Sequence, residues 1–214
     1  MKRVAELLGA EIKKGLPGIE VQMEMASIHR LMENLPRTPG PDAIEAAVLI
    51  LMFPEKGSVH TVLMQRPDYD GVHGGQISFP GGKREASDNS LTDTAIREAH
   101  EEAGISREEI SIINTLTPLY IPVSKIIVTP VLAYTMKKPV FRHHPEEVQY
   151  LFDVDLSALA GNSLVKTSPV IVRGLEIEVK HYHYENKIIW GATAMILREL
   201  LTIFKRGRIP LILE

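Results

Sequence analysis

The chain has 214 residues, 44% of them apolar and 24% charged, with a formal net charge of −3 and no cysteine. That length fills one domain and leaves two full domains a tight fit, and the composition is that of an ordinary soluble protein. The charge gives no basic footprint for nucleic acid, and the missing cysteine excludes disulfides, thiolate nucleophiles and Cys-ligated zinc while agreeing with a cytoplasmic location.

Residues 2–14 carry Val4, Leu7, Leu8 and Ile12 at helical spacing, and Gly15 and Pro17-Gly18 stop the helix. Glu6, Glu11, Lys13 and Lys14 interrupt it, so the spacing predicts an amphipathic helix rather than a signal peptide. No apolar run reaches membrane-spanning length, and no membrane partner is expected. A second short helix is expected over 26–34, before the Pro- and Gly-rich run at 35–41. This divides the chain into an N-terminal helical arm, 1–40, and a main domain, 41–214. Residues 46–53 are continuously apolar, as in a buried strand; Glu55-Lys56-Gly57 turns the chain, and 59–65 returns as a second strand.

Residues 79–105 read FPGGKREASDNSLTDTAIREAHEEAGI. Pro80-Gly81-Gly82 makes a turn, a polar loop follows, and a helix is expected from about Thr92 with Gly104 as its C-cap. On that helix Arg97, Glu98, Glu101 and Glu102 spell R-E-x-x-E-E. At about 100° per residue the three glutamates share one arc, while Ala95, Ile96, Ala99 and Ala103 form a small apolar face able to pack closely on a sheet. Such carboxylates repel one another unless solvent, a cation or a basic partner offsets the charge. Oxygen-only ligands suit Mg²⁺ or Mn²⁺. In isolation, the same run reads more simply as a solvated acidic face.

Beyond the helix, 110–117 and 126–134 read as strands bounded by Pro118, Pro122 and Pro130, with 119–125 a loop near any substrate. A segment opens at Glu146-Glu147-Val148 and ends at Leu156. Residues 175–179 alternate with Glu176, Glu178 and Lys180 as a half-buried strand, Glu185-Asn186 turns the chain into 187–190, and 191–204 form a last amphipathic helix. His181 and His183, two apart, either chelate a metal or are simply exposed. His100 and the His143-His144 pair read as surface.

In its context of a preceding double glycine, an acidic loop and a closing glycine, the R-E-x-x-E-E run resembles the Nudix box. This is the motif of hydrolases that cleave a nucleoside diphosphate linked to another group. Gly82 and Arg97 stand one residue further apart than usual, and the loop acid is Asp88 or Glu85; the longer loop is similar to that of the coenzyme A diphosphatase branch. The upstream run from Leu63 to Gly82 resembles the same branch at Arg66, His73, Gly75, Gln76 and Phe79 to Gly82. Trp190-Gly191-Ala192-Thr193-Ala194 resembles its ending. Pro67 and Gly71 depart from it, and Gly71 stands in place of an arginine that could hold a phosphate bidentately.

The resemblance implies an α/β fold, an α/β/α sandwich around a mixed curved sheet with the helical arm added. It also implies metal-dependent hydrolysis of coenzyme A or acyl-CoA to 3′,5′-ADP and (acyl-)4′-phosphopantetheine. Glu98, Glu101 and Glu102, with the Gly82 carbonyl, would hold Mg²⁺ or Mn²⁺. Glu98, Glu101 or Glu147 would take the proton of the attacking water. Arg66, His73, Gln76, Lys83 and Arg84 would bind substrate, with Lys125 and Arg142 as further cations, and Arg97 would be held structurally by Asp88 or Glu85. ADP-ribose or a dinucleotide stays open as substrate. So does a nucleotide-sensing domain without turnover, although the three glutamates and an arm lacking a basic helix argue against it. The partner expected is a small nucleotide; a homodimer stays open.

Overall fold

The structure, a computed structural model, describes residues 1–27, 38–67, 74–143, 145–172 and 174–213. Its larger sheet is built around β1 (Ile44–Glu55). That strand buries Ala47, Leu49, Leu51 and Phe53 on one face and Ala46, Ile50 and Met52 on the other, which is why it reads as an unbroken apolar run. Along one edge it pairs in parallel with β7 (Ile126–Tyr134), from Ile44↔Ile126 to Met52↔Tyr134. The other edge is shared. The antiparallel β2 (Ser58–Gln65) takes Met52 to Glu55, and β4 (Gly81–Lys83) takes Ala46 to Val48.

The path of the sheet is β3 (Ile77–Ser78), β2, β1, β7, β5 (Ser111–Thr115), with β6 (Leu119–Ile121) added on β7 and β8 (Tyr150–Asp155) on β2. Helix α3 (Leu91–Ala103) covers one face, packing Ala95, Ala99 and Ala103 against Leu49, Leu51, Phe53 and Val131. The opposite face carries α1 (Lys2–Ile12) and α5 (Gly191–Arg206), whose Leu8, Ile12, Leu197, Leu200 and Phe204 meet Ile50, Met52, Leu63 and Leu132. The result is an α/β/α sandwich around a mixed, curved sheet. Between the main elements lie α2 (Ile19–Met23) and α4 (Leu156–Leu159). A second sheet joins β9 (Val165–Val172), β10 (Leu175–Tyr184) and β11 (Lys187–Trp190) in the order β11-β10-β9.

Several expectations change. The second N-terminal helix is α2, earlier than 26–34; Ala26 and Ser27 are not helical, and the rest of that expectation lies outside the described residues. Part of the 119–125 loop is β6, antiparallel to β7. Pro130 lies inside β7 rather than at its boundary. Its carbonyl accepts from the Leu116 N–H at 2.9 Å, so its missing donor would have faced the same side, where β5 has ended and β6 has not begun. No donor is wasted there. The strand at 175–179 continues to Tyr184, paired with β9.

Candidate active site

Ser90 starts α3 by accepting from the Asp93 N–H at 3.2 Å, and Gly104 closes it in the left-handed region at φ 66°. Because alanines face β1, the helix lies close to the sheet and its acidic arc stands over β4. The Gly81-Gly82 pair makes this approach feasible. At Gly81 (φ 154°) a Cβ would lie 2.3 Å from the Ala47 carbonyl oxygen and 2.6 Å from the Val48 Cα. At Gly82 a Cβ would lie 2.4 Å from Glu98 Oε1. Strand β4 therefore threads between β1 and α3 only with glycine at 81, where the obstacles include backbone, whereas a side chain at 82 would displace the Glu98 carboxylate.

The three glutamates are graded in exposure. Glu102 is buried, with its side chain 7% exposed, Glu98 is 16% exposed and Glu101 is 47% exposed. The Gly81 N–H donates to Glu102 Oε2 at 2.7 Å, and Arg66 Nη1 stands 3.8 Å from Glu102 Oε1. Arg66 also donates from Nη2 to the Gly81 carbonyl at 3.0 Å and from Nε to Ser78 Oγ at 3.2 Å.

Arg97 locks the loop to the helix. It donates bidentately to Asp88, from Nε and Nη2 at 3.0 Å each, and from Nη2 to the Lys83 carbonyl at 3.1 Å. Asp88 is buried and also accepts from the Glu85 N–H and Thr94 Oγ1, both at 2.9 Å. Of the two loop acids, Asp88 makes the primary pair and Glu85 lies at 3.7 Å. The Nη1 of Arg97 donates to Glu98 Oε1 and Glu101 Oε2, 3.0 Å each, so this guanidinium is the basic partner that offsets the acidic arc.

Charge follows from this placement. Burial pushes the Glu102 carboxyl up to about 7, against the opposing effects of Arg66 and the Gly81 N–H; Glu98 and Glu147 push it further. Glu98 is also raised, chiefly by burial, with Arg97 opposing. Asp88 is held well below the usual carboxylate range by its hydrogen bonds from Arg97, and Arg97 is raised by the same bonds.

The remaining expected residues lie at varied distances from this centre. Glu147 is exposed, yet close enough for its charge to act on Glu102. The Gln76 carbonyl accepts from the Arg66 N–H at 3.0 Å, and the Gly75 N–H donates to the Pro67 carbonyl at 3.1 Å, closing the neck of the β2–β3 connection. His73 and Gly71 lie outside the described residues. Lys83 is exposed on β4. Arg84 is paired with Glu45 at 2.9 Å, Lys125 is paired with Asp42, and exposed Arg142 donates its backbone N–H to the Ala103 carbonyl at 3.0 Å. His181 is buried, its Nδ1 3.3 Å from the Val179 carbonyl, so it is not the exposed residue of the sequence reading. Two contributors were missed. They are Ser78, and the Gly81 N–H as a carboxylate ligand; the F-P-G-G run pointed to the segment but not to which backbone group would donate.

Among the described residues no three His, Asp or Glu side chains converge as a metal-holding cluster. Glu98 and Glu101 share Arg97, and Glu102 turns to Gly81. The donor chemistry nonetheless fits a hard cation: carboxylate oxygens graded from buried to exposed, with glycine where a side chain would block Glu98. No helix among the described residues is long and apolar enough to cross a membrane.

A NUDIX domain model matches residues 43–160, more than half of the chain. The chain is 36% identical over 139 residues to the uncharacterized Nudix hydrolase NudL of Yersinia pestis (strain Pestoides F), covering 65% of this chain and 69% of that one. In fold it is similar to the Nudix hydrolase RenU of M. smegmatis, at TM-score 0.52 and 18% identity over 80% of this chain and 90% of that one. It is similar also to a MutT/nudix family protein of Enterococcus faecalis, at TM-score 0.50 and 16% identity over 87% and 73% of the two chains. The glycine pair under an R-E-x-x-E-E helix thus has its family: the chain belongs to the Nudix hydrolases.

Proposed function

We propose that this Nudix hydrolase cleaves coenzyme A or acyl-CoA at its diphosphate, giving 3′,5′-ADP and (acyl-)4′-phosphopantetheine. The observation that carries this reading is how the run resembling the coenzyme A diphosphatase branch meets the carboxylates. Arg66, on that run, donates to the Gly81 carbonyl, and the Gly81 N–H donates to Glu102. The C-terminal stretch with the same resemblance arrives nearby, where Thr193 Oγ1 donates to the Ile77 carbonyl at 2.8 Å. Both segments thus border the strand leading into the glycine pair.

Mg²⁺ or Mn²⁺ held by Glu98, Glu101, Glu102 and the Gly82 carbonyl would neutralise charge on the phosphoryl oxygens. Arg97 engages Glu98 and Glu101, which favours exposed Glu147 as the base that takes the proton of the attacking water. Gln76, whose carbonyl holds the Arg66 N–H, and exposed Lys83 on β4 would contact substrate with His73. Arg84, paired with Glu45, would have to exchange that partner to take part.

The test is mass spectrometry of the products from coenzyme A, with Mg²⁺ or Mn²⁺ supplied. The two fragments named above are expected. Dephospho-coenzyme A should be cut with a kcat/KM lower by roughly tenfold or more, since a charge-assisted contact contributes about 1.5–3 kcal/mol. Faster cleavage of ADP-ribose than of coenzyme A would replace this reading with a different conjugate.

A further inference from the structure

We propose that Arg66 is a positioning residue that fixes the Gly81 backbone and the Glu102 carboxylate, rather than a contact for substrate phosphate. Its side chain is 25% exposed, and three partners inside the protein engage its head: the Gly81 carbonyl at 3.0 Å, Ser78 Oγ at 3.2 Å and Glu102 Oε1 at 3.8 Å. The ring closes through Gly81, whose N–H donates to Glu102 Oε2 at 2.7 Å. Both polar groups of one glycine are thereby held by the two members of one ion pair. That glycine has φ 154°, and the residue after it faces Glu98. Turning either peptide plane at Gly81 breaks a contact to Arg66 or to Glu102, so the orientation of the Glu102 carboxylate depends on this ring, and the Gly82 backbone beside Glu98 moves with it. The backbone N–H of Arg66 is itself held by the Gln76 carbonyl, so the base of the fork is anchored as well.

The planar fork is what the geometry requires. Lysine keeps the charge but has one compact donor head, and it cannot span Ser78, Gly81 and Glu102. This inference rests on the reading of the protein as a Nudix hydrolase, and not on coenzyme A as substrate.

The experiment compares Arg66→Ala and Arg66→Lys with wild type in steady-state kinetics and in amide hydrogen exchange of residues 79–83. Both variants should lose kcat by roughly 10- to 100-fold, as removing an outer-shell partner does, with KM unchanged. Lysine should be as impaired as alanine, and the 79–83 amides should exchange faster in both. A raised KM with kcat preserved, repaired by lysine, would make Arg66 a phosphate contact and overturn the proposal. Unchanged exchange would overturn it too. If neither variant folds, Ser78→Ala, which removes one anchor and keeps the charge, should give a smaller kcat loss at unchanged KM; unaltered kcat then sinks the idea. Failure of wild type to cleave coenzyme A would count only against the substrate reading. The exchange rates, and kinetics on whichever nucleotide conjugate wild type turns over, would still decide the role of Arg66.

Discussion

At the scale of single residues, two buried carboxylates of the site are displaced in opposite directions, and their linkage to stability has opposite sign. Glu102 is raised on folding from 4.5 to about 7, so the folded protein binds its proton more tightly than the unfolded chain does. Its contribution is fully present below pH 4.5 and is lost as pH rises towards 7, a swing on the order of 3 kcal/mol without metal. Glu102→Gln keeps the volume and removes the titration. In chelator, urea unfolding at pH 5 and pH 8 should therefore differ less for the variant than for wild type. An equal difference would remove burial of Glu102 as the cause. The same substitution should lower the rate by at least roughly 10²-fold, by analogy with deletion of one electrostatic stabiliser. Full activity in a folded variant would remove Glu102 from the site. Asp88 behaves in the reverse way. Its folded value is depressed, so its contribution is complete above the unfolded value of 3.8 and is lost as pH falls through the folded one. Arg97→Ala strips this buried acid of its bidentate partner and frees Glu98 and Glu101 to repel each other. Both melting temperature and activity should fall, and an unchanged melting temperature would deny Arg97 its structural part.

At the scale of elements, β4 decides how the helix meets the sheet, and its two glycines should respond differently to the same added methyl. At Gly81 the obstacles are the Ala47 carbonyl and the Val48 Cα, both backbone, in a conformation that alanine avoids. Gly81→Ala should therefore cost about 2 kcal/mol or more in unfolding free energy. At Gly82 the obstacle is the end of the Glu98 side chain, which can swing away. Gly82→Ala should melt close to wild type while losing activity, and matched melting of the two variants would contradict the close approach. What was legible in the sequence follows the same division. The box helix, its Gly104 cap and strands β1, β2 and β7 carry strong local patterns, so their positions could be read directly. The Arg97–Asp88 pair was visible as one of two options. Strand β9 was not read, because Pro169 interrupts its pattern and its register comes only from pairing with β10. Nor could spacing reveal that Arg66 points inward, because this depends on β4 filling the edge of β1 that β2 leaves open. His181 was misplaced for the same reason: its burial arises from long-range packing.

At the scale of the whole molecule, the sequence suggests an arm of 1–40 attached to a domain of 41–214, whereas the contacts suggest that the domain needs the arm. Val4, Leu8, Ile12 and Met25 belong to the same buried cluster as Ile50, Leu132, Leu197 and Phe204. The polar joints are equally long-range. Glu199 of α5 is fully buried and accepts from the Gly18 N–H at 3.2 Å, Gln22 Nε2 at 2.8 Å, the Thr117 N–H at 3.3 Å and the Thr117 hydroxyl. Gln22 Nε2 donates as well to the Thr117 carbonyl at 2.8 Å, so one side chain of α2 joins the last helix to the β5–β6 connection. At the end of α1, Arg206 donates to the Glu11 carboxylate and to the carbonyls of Glu11 and Gly15. Removing residues 1–40 would expose the apolar cluster and leave Glu199 with only Thr117 among these donors. We propose that a chain beginning at residue 41 fails to fold cooperatively, even though the matched NUDIX segment begins at residue 43. The finer test is Gln22→Ala, which deletes one joint and leaves the apolar contacts in place. It should lower unfolding free energy by about 1–3 kcal/mol, the cost of a buried acceptor left unsatisfied. Its kcat on the nucleotide substrate should stay near wild type, because no contact of Gln22 reaches Glu98, Glu101 or Glu102. A 41–214 fragment that melts cooperatively at the temperature of the full chain would show that the arm is an appendage after all.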